Sequence, residues 1–135
     1  MRPSAVRDLL LDQHERLRRR LAATEALAER LRAGAAVRGA FRHGVTMLLE
    51  ELTTHNVSEE TLLEPLLRAG DVYADARVAR MHREHLDEHM ILQDALIGSD
   101  LTVIAENLPD LAETLRAHME AEERTFLHPG VLRDG

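Results

Sequence analysis

Twice in this chain a histidine and a glutamate stand four residues apart: His55 with Glu59 in HNVSEETLLEP, and His118 with Glu122 in HMEAEERTFLHP. On a helix that spacing puts both side chains on one face, a turn apart, so an imidazole nitrogen and a carboxylate can serve the same cation. His14 in DQHERL and the pair His85 and His89 in HLDEH supply further imidazoles. Cysteine is absent, which excludes thiolate metal sites, disulfides and cysteine nucleophiles. A donor set of histidines and carboxylates without sulfur suits iron, manganese or zinc.

These residues must be positioned by helices. Apolar spacing is helical almost throughout, and no stretch alternates with a period of two for long enough to propose a strand, so the expected class is all-α. Ser4 is the expected N-cap of a first helix over about 5–32, closed by Gly34. A second helix runs over about 36–68 to Gly70, with Gly39, Gly44 and Pro65 as sources of a kink. Asp71 or Asp75 opens a third, which ends near Gly98. After a short helical piece at 100–106, the run Asn107, Leu108 and Pro109 starts a fourth helix over about 108–127. Short connections make neighbours antiparallel, giving an up-down-up-down four-helix bundle. At 135 residues the chain is expected to form one domain.

The bundle-facing stripes carry the chemistry. Leu10, His14, Leu17 and Leu21 follow the four-and-three rhythm of a packed seam on the first helix. The second offers Phe41, Val45, Leu48, Leu52, His55, Glu59, Leu62 and Leu66; the third Val78, His82, His85, His89, Leu92 and Leu96; the fourth Leu111, Leu115, His118, Glu122 and Thr125. Counted from the expected helix ends at about 1.5 Å per residue, His14, Glu59, His85, His55 and His89 lie at roughly 14, 15, 18, 21 and 24 Å, whereas His43 lies at roughly 39 Å. His128 falls beyond the fourth helix. Burying neutral polar groups without partners costs roughly 2–7 kcal/mol each, and a bare carboxylate more, against a total stability of about 5–15 kcal/mol. A shared metal neutralises the carboxylates and uses the imidazole lone pairs, and two carboxylates on different helices suit a pair of bridged ions.

His14, the HNVSEETLLEP and HMEAEERTFLHP segments and HLDEH together resemble the hemerythrin, or HHE cation-binding, family over nearly the whole chain. The resemblance implies a four-helix bundle holding two non-haem iron ions, oxo- or hydroxo-bridged, with zinc or manganese as substitutes. Glu59 and Glu122 would bridge, His14 and His55 would serve one iron, and His85, His89 and His118 the other. Many members carry one histidine on the third helix; if only one binds here, His85 is favoured over His89 and His82. Aligning backward from Pro129 would put Glu123 in place of Glu122. Glu122 shares the face of His118, and Glu123 does so only if the helix widens into a π-bulge, so Glu122 is preferred.

Other residues have plainer expected roles. Glu60 and Glu123 lie beside the site or on the surface. Asp12, Glu84 and Glu88 are solvated or orient ligating imidazoles. Tyr73 packs, and Met81, Met90, Met119, Phe126 and Leu62 are core. There is no acid or base beyond the ligands, so no separate catalytic residue is assigned. The implied function is binding of a small ligand, O2, NO or H2O2, with peroxide decomposition as a further activity; the alternative is an iron-handling or redox-regulatory module whose metal state controls partner binding. Aromatic residues make up only 2% of the chain, which argues against an oxygen carrier's aromatic pocket. A net charge of −7 argues against nucleic acid, with RLRRR at 16–20 read as a solvated helix face. With no long apolar run and no apolar leader at the N-terminus, the expected setting is the cytoplasm, away from membranes. Oligomeric state is left open.

Overall fold

The computed structural model describes the backbone of residues 1–69, 72–96 and 100–135, and their side chains except at His89 and 91–96. His89, Leu92, Leu96 and Asp71 therefore lie outside the described residues. Helix α1 spans Pro3–Arg32, α2 Arg38–Ser58, a π-helical turn Glu59–Leu63, α3 Glu64–Arg68, α4 Ala74–Leu96 and α5 Leu101–Arg124. Because α2, the π turn and α3 follow one another without a break, four rods form an all-α bundle, with no strand among the described residues. Helix α1 packs on α2 and α5, while α4 packs on α3 and α5. None of the described helices is long and apolar enough to cross a membrane.

Helix α1 begins at Pro3 rather than being capped by Ser4. Proline's fixed φ suits the first helical position. Ser4 sits inside the helix, where its backbone N–H donates to Asp134 Oδ1 at 2.9 Å and its hydroxyl to Oδ2 at 2.5 Å, so the C-terminal tail supplies the cap. At the other end Gly34 adopts a φ of 89°. Its N–H reaches Leu31 O, and the Ala35 N–H reaches Arg30 O, the paired bonds of a Schellman stop. Gly44 lets α2 approach α1 closely, since a Cβ there would lie 3.4 Å from the Thr24 hydroxyl.

Two element boundaries differ from the sequence expectation. The fourth rod does not start at Leu108: α5 starts at Leu101, capped by the Asp100 side chain accepting from the Thr102 N–H at 2.9 Å, and runs through Pro109 to Arg124. Proline leaves the carbonyl four residues before it without an intrahelical donor. That carbonyl belongs to Ala105, and Arg32 from the end of α1 donates to it at 2.6 Å. A tertiary hydrogen bond thus removes the reason for a break.

In the second rod the expected kink is a π turn, closed by the Glu64 N–H donating to Glu59 O. Five-residue hydrogen bonding inserts one residue into the turn, and the buried stripe advances by one. Leu63 and Leu67 are buried beneath Glu59, while the expected seam residues Leu62 and Leu66 are only partly buried.

On α4 the buried residues among those described are Ala74, Val78, Met81, His85 and Glu88. His82, expected on the seam, is 51% exposed and bonds Glu64 Oε2 at 3.0 Å. Tyr73 and Met90 are also exposed rather than packed. The stripe leaves Val78 by a three-residue step, not a four-residue one, which rotates His82 outward and brings Glu88 inward.

The apolar core is split in two. One cluster includes Leu17, Leu21, Phe41, Leu48, Leu52, Leu115 and Met119. The other gathers Val6, Leu10, Leu63, Leu67, Met81, Phe126, Leu127 and Leu132. Between them, at the level where Leu10 gives way to Leu17 and Leu52 to Leu63, lies a layer of buried histidines and glutamates.

Candidate metal centre

Among the described residues each rod sends one imidazole into this layer: His14 from α1, His55 from α2, His85 from α4 and His118 from α5. Glu59 comes from the π turn, Glu88 from α4 and Glu122 from α5. His14, His55, Glu59 and Glu122 are all buried, and one donor atom from each lies within 4.8 Å of the other three. The two Nε2 atoms of His14 and His55 are 3.2 Å apart. His14 Nε2 is 3.4 Å from Glu122 Oε1, and His55 Nε2 is 2.6 Å from Glu59 Oε1.

Glu59 reaches two sides of the layer. Its Oε1 lies against His55, and its Oε2 is 2.7 Å from His85 Nε2. Glu122 Oε1 is 3.1 Å from His118 Nε2, which is also 2.7 Å from Glu88 Oε1. The π turn matters here. It begins at Glu59, which ordinary four-residue spacing already sets beneath His55, and it restarts the helix in a register that buries Leu63 and Leu67.

The outward nitrogens are held from behind. His55 Nδ1 donates to Gln13 Oε1 at 2.8 Å, His85 Nδ1 to Glu60 Oε1 at 3.2 Å and His14 Nδ1 to Glu123 Oε2 at 3.1 Å. Arg18 clamps Glu123 at 2.5 Å. Glu84 approaches His118 Nδ1 at 3.7 Å. A donor on Nδ1 fixes the tautomer in which the Nε2 lone pair points inward, the usual way a histidine is prepared for a metal.

Several buried oxygens have no hydrogen-bond partner: Glu59 Oε1, both Glu88 oxygens and both Glu122 oxygens. Three of them, Glu59 Oε1, Glu88 Oε1 and Glu122 Oε1, lie 2.6, 2.7 and 3.1 Å from imidazole nitrogens without hydrogen-bond alignment. Lone pairs that converge at short range without hydrogen-bond alignment are what a cation between them would satisfy. The residues present therefore fit a metal ion.

Without metal, protons do that work. Burial alone would lower the His55 pKa, but the Glu122 and Glu59 carboxylates beside it raise it to about 10. Burial likewise opposes the shift of His118, which Glu122 and Glu88 raise to about 11. His85 is raised too, against burial, chiefly by Glu59. Burial and the neighbouring Glu122 charge push Glu59 up, whereas Glu122, despite burial, is held well below the carboxylate range by Glu59 and the histidines.

The sequence residues His14, His55, Glu59, His85, His118 and Glu122 thus meet in one layer. Glu123, the alternative to Glu122, points to the back of His14. His43 is exposed, and His128 is exposed at the end of the chain, bonding the Gly130 N–H. Sequence reasoning missed three residues. Glu88 was read as solvated or as orienting a ligating imidazole, though its three-residue spacing from His85 puts the two on one helix face. Gln13 carries no sequence signal for its contact with His55, and Arg18 was read as part of a solvated run. In that run Arg16 pairs with Asp12 at 3.3 Å and Arg20 with Glu51 at 3.1 Å.

Fold and site together define a helical-bundle protein with a buried histidine and carboxylate cation site. The hemerythrin HHE cation binding domain matches residues 5–128, and the chain belongs to that family. No curated protein and no solved structure matches it.

Proposed function

We propose that this layer holds two non-haem iron ions and that the protein binds one small ligand, O2, NO or H2O2, beside them. The observation that carries the reading is the Glu59 carboxylate, whose two oxygens face imidazoles of different helices, His55 at 2.6 Å and His85 at 2.7 Å. A carboxylate so placed suits a bridge, with His14 and His55 on one side and His85 and His118 on the other. Glu122, among His14, His55 and His118, suits the second bridge.

Ligand size follows from the cavity. Leu17, Leu21, Leu52, Leu115 and Met119 roof a space of about 10 Å³ whose floor is His55, Glu88, His118 and Glu122. That is about one water's worth of room, which suits a very small ligand and excludes an organic substrate. Iron, when bound, supplies the redox and ligand-binding chemistry. The chain's residues orient the donors through Gln13, Glu60 and Glu123, and the leucine roof keeps bulk water out.

Elemental analysis with an optical spectrum tests this. About two irons per chain are expected, with an absorption spectrum that changes on adding O2, NO or peroxide to the reduced protein. Gas evolution from peroxide would identify peroxide decomposition as an activity; reversible bleaching on oxygen removal would identify reversible binding. Fewer than two irons, or a spectrum indifferent to all three ligands, refutes the proposal.

A further inference from the structure

Glu88 belongs to none of the roles the site has been given. It is a carboxylate at 4% exposure, three residues after His85 on α4, and neither of its oxygens has a hydrogen-bond partner. Its Oε1 lies 2.7 Å from His118 Nε2, off the donor direction. The side chain lines the small cavity among Leu17, Leu21, Leu52, Leu115 and Met119. An anion in such surroundings needs a cationic partner close by. His118 is shared with Glu122, whose Oε1 is 3.1 Å from the same nitrogen.

The geometry points to Glu88 as a direct ligand of the second ion, an anionic donor completing the set formed by His85, His118 and the two bridging glutamates. The inference rests on the two-ion reading above. It changes the character of the centre, which then has four imidazoles and three carboxylates. The extra acid falls on one side only: His14 and His55 serve the first ion with neutral nitrogens, whereas the second gains a negative charge. Hard carboxylate donors favour the higher-charged metal, so the second position is expected to hold the trivalent state more strongly than the first. His89 is then not required as a ligand.

Cobalt(II) titration under anaerobic conditions, followed by its ligand-field bands and by elemental analysis, tests this without reference to activity. Wild-type protein should take two equivalents. Glu88→Gln keeps the volume and removes the charge; it should bind the first equivalent as wild type does and the second at least about tenfold more weakly, a loss at the low end of what disturbing even outer partners of a ligand produces. His89→Ala should keep both. Two equivalents with wild-type affinities and bands in Glu88→Gln would overturn the proposal, whereas a wild type that binds fewer than two would instead overturn the two-ion reading. A crystal structure of the zinc-loaded wild type decides the matter even if the variant fails to fold. A Glu88 oxygen within about 2.2 Å of the second ion is expected, and one bonded only to His118 overturns the assignment.

Discussion

The π turn at Glu59–Leu63 makes a sharp distinction between two adjacent leucines. Continued as an α-helix, the stripe through His55 and Glu59 would bury Leu62 and Leu66; with the wider turn it buries Leu63 and Leu67. Leu63 is 0% exposed, in a cluster with Leu10, Met81 and Phe126, so truncation to alanine leaves a cavity directly beneath the metal layer. Fully buried leucine-to-alanine changes destabilise by about 3–5 kcal/mol. Leu62 is only partly buried, and the same change there should fall near 1 kcal/mol. For a chain of this size, 3 kcal/mol corresponds to a Tm lowered by roughly 10 °C. Chelator-treated Leu63→Ala and Leu62→Ala, compared by urea unfolding with the slope checked against wild type, measure the difference without metal linkage. A Leu62→Ala loss equal to or larger than that of Leu63→Ala would show that the helix continues in α register past Glu59.

Other expectations follow from the same geometry. His55→Ala should abolish one metal position by elemental analysis, while His43→Ala, on an exposed stretch of α2, should leave metal content unchanged; equal losses would mean that the layer is wrongly assigned. Metal-free protein should lose stability as pH rises through about 10 and 11, because the raised pKa values of His55 and His118 mean that their protonated forms stabilise the fold fully only below their ordinary value of 6.5. Thermal melts of chelated protein that instead rise between pH 8 and 11 would contradict this. Apparent metal affinity should move the other way and strengthen with pH, because binding displaces those protons, and calorimetry in buffers of different ionisation enthalpy should register proton release. Arg32→Ala should destabilise by about 1 kcal/mol by removing the donor to the Ala105 carbonyl, with little effect on metal content. The loss should shrink when Pro109 is replaced by alanine, which restores the intrahelical donor; an unchanged loss would separate Arg32 from the proline.

What the sequence determined by itself is local and periodic. Helical spacing of leucines fixes the class and the bundle, because a stripe recurring at about 3.6 residues must be buried, and in a chain whose pattern offers no strand only other helices can cover it. Histidine and glutamate at that same spacing on the stripes put His14, His55, Glu59, His118 and Glu122 inward, and Gly34 marks the end of α1 by its positive φ. What tertiary structure decided is wherever a distant residue supplies a group that local rules count as missing. Arg32 feeds the carbonyl that Pro109 strands, so α5 runs on where a break was expected; Asp134 caps α1 from the far end of the chain. The π turn slips the second rod by one residue, exchanging Leu62 for Leu63, and the rotation of α4 exposes His82 and buries Glu88. A single residue turns the side chain by about 100°. An error too small to alter the reading of the fold is therefore large enough to decide which acid or imidazole enters the centre, and only the packing of four rods against one another sets that angle.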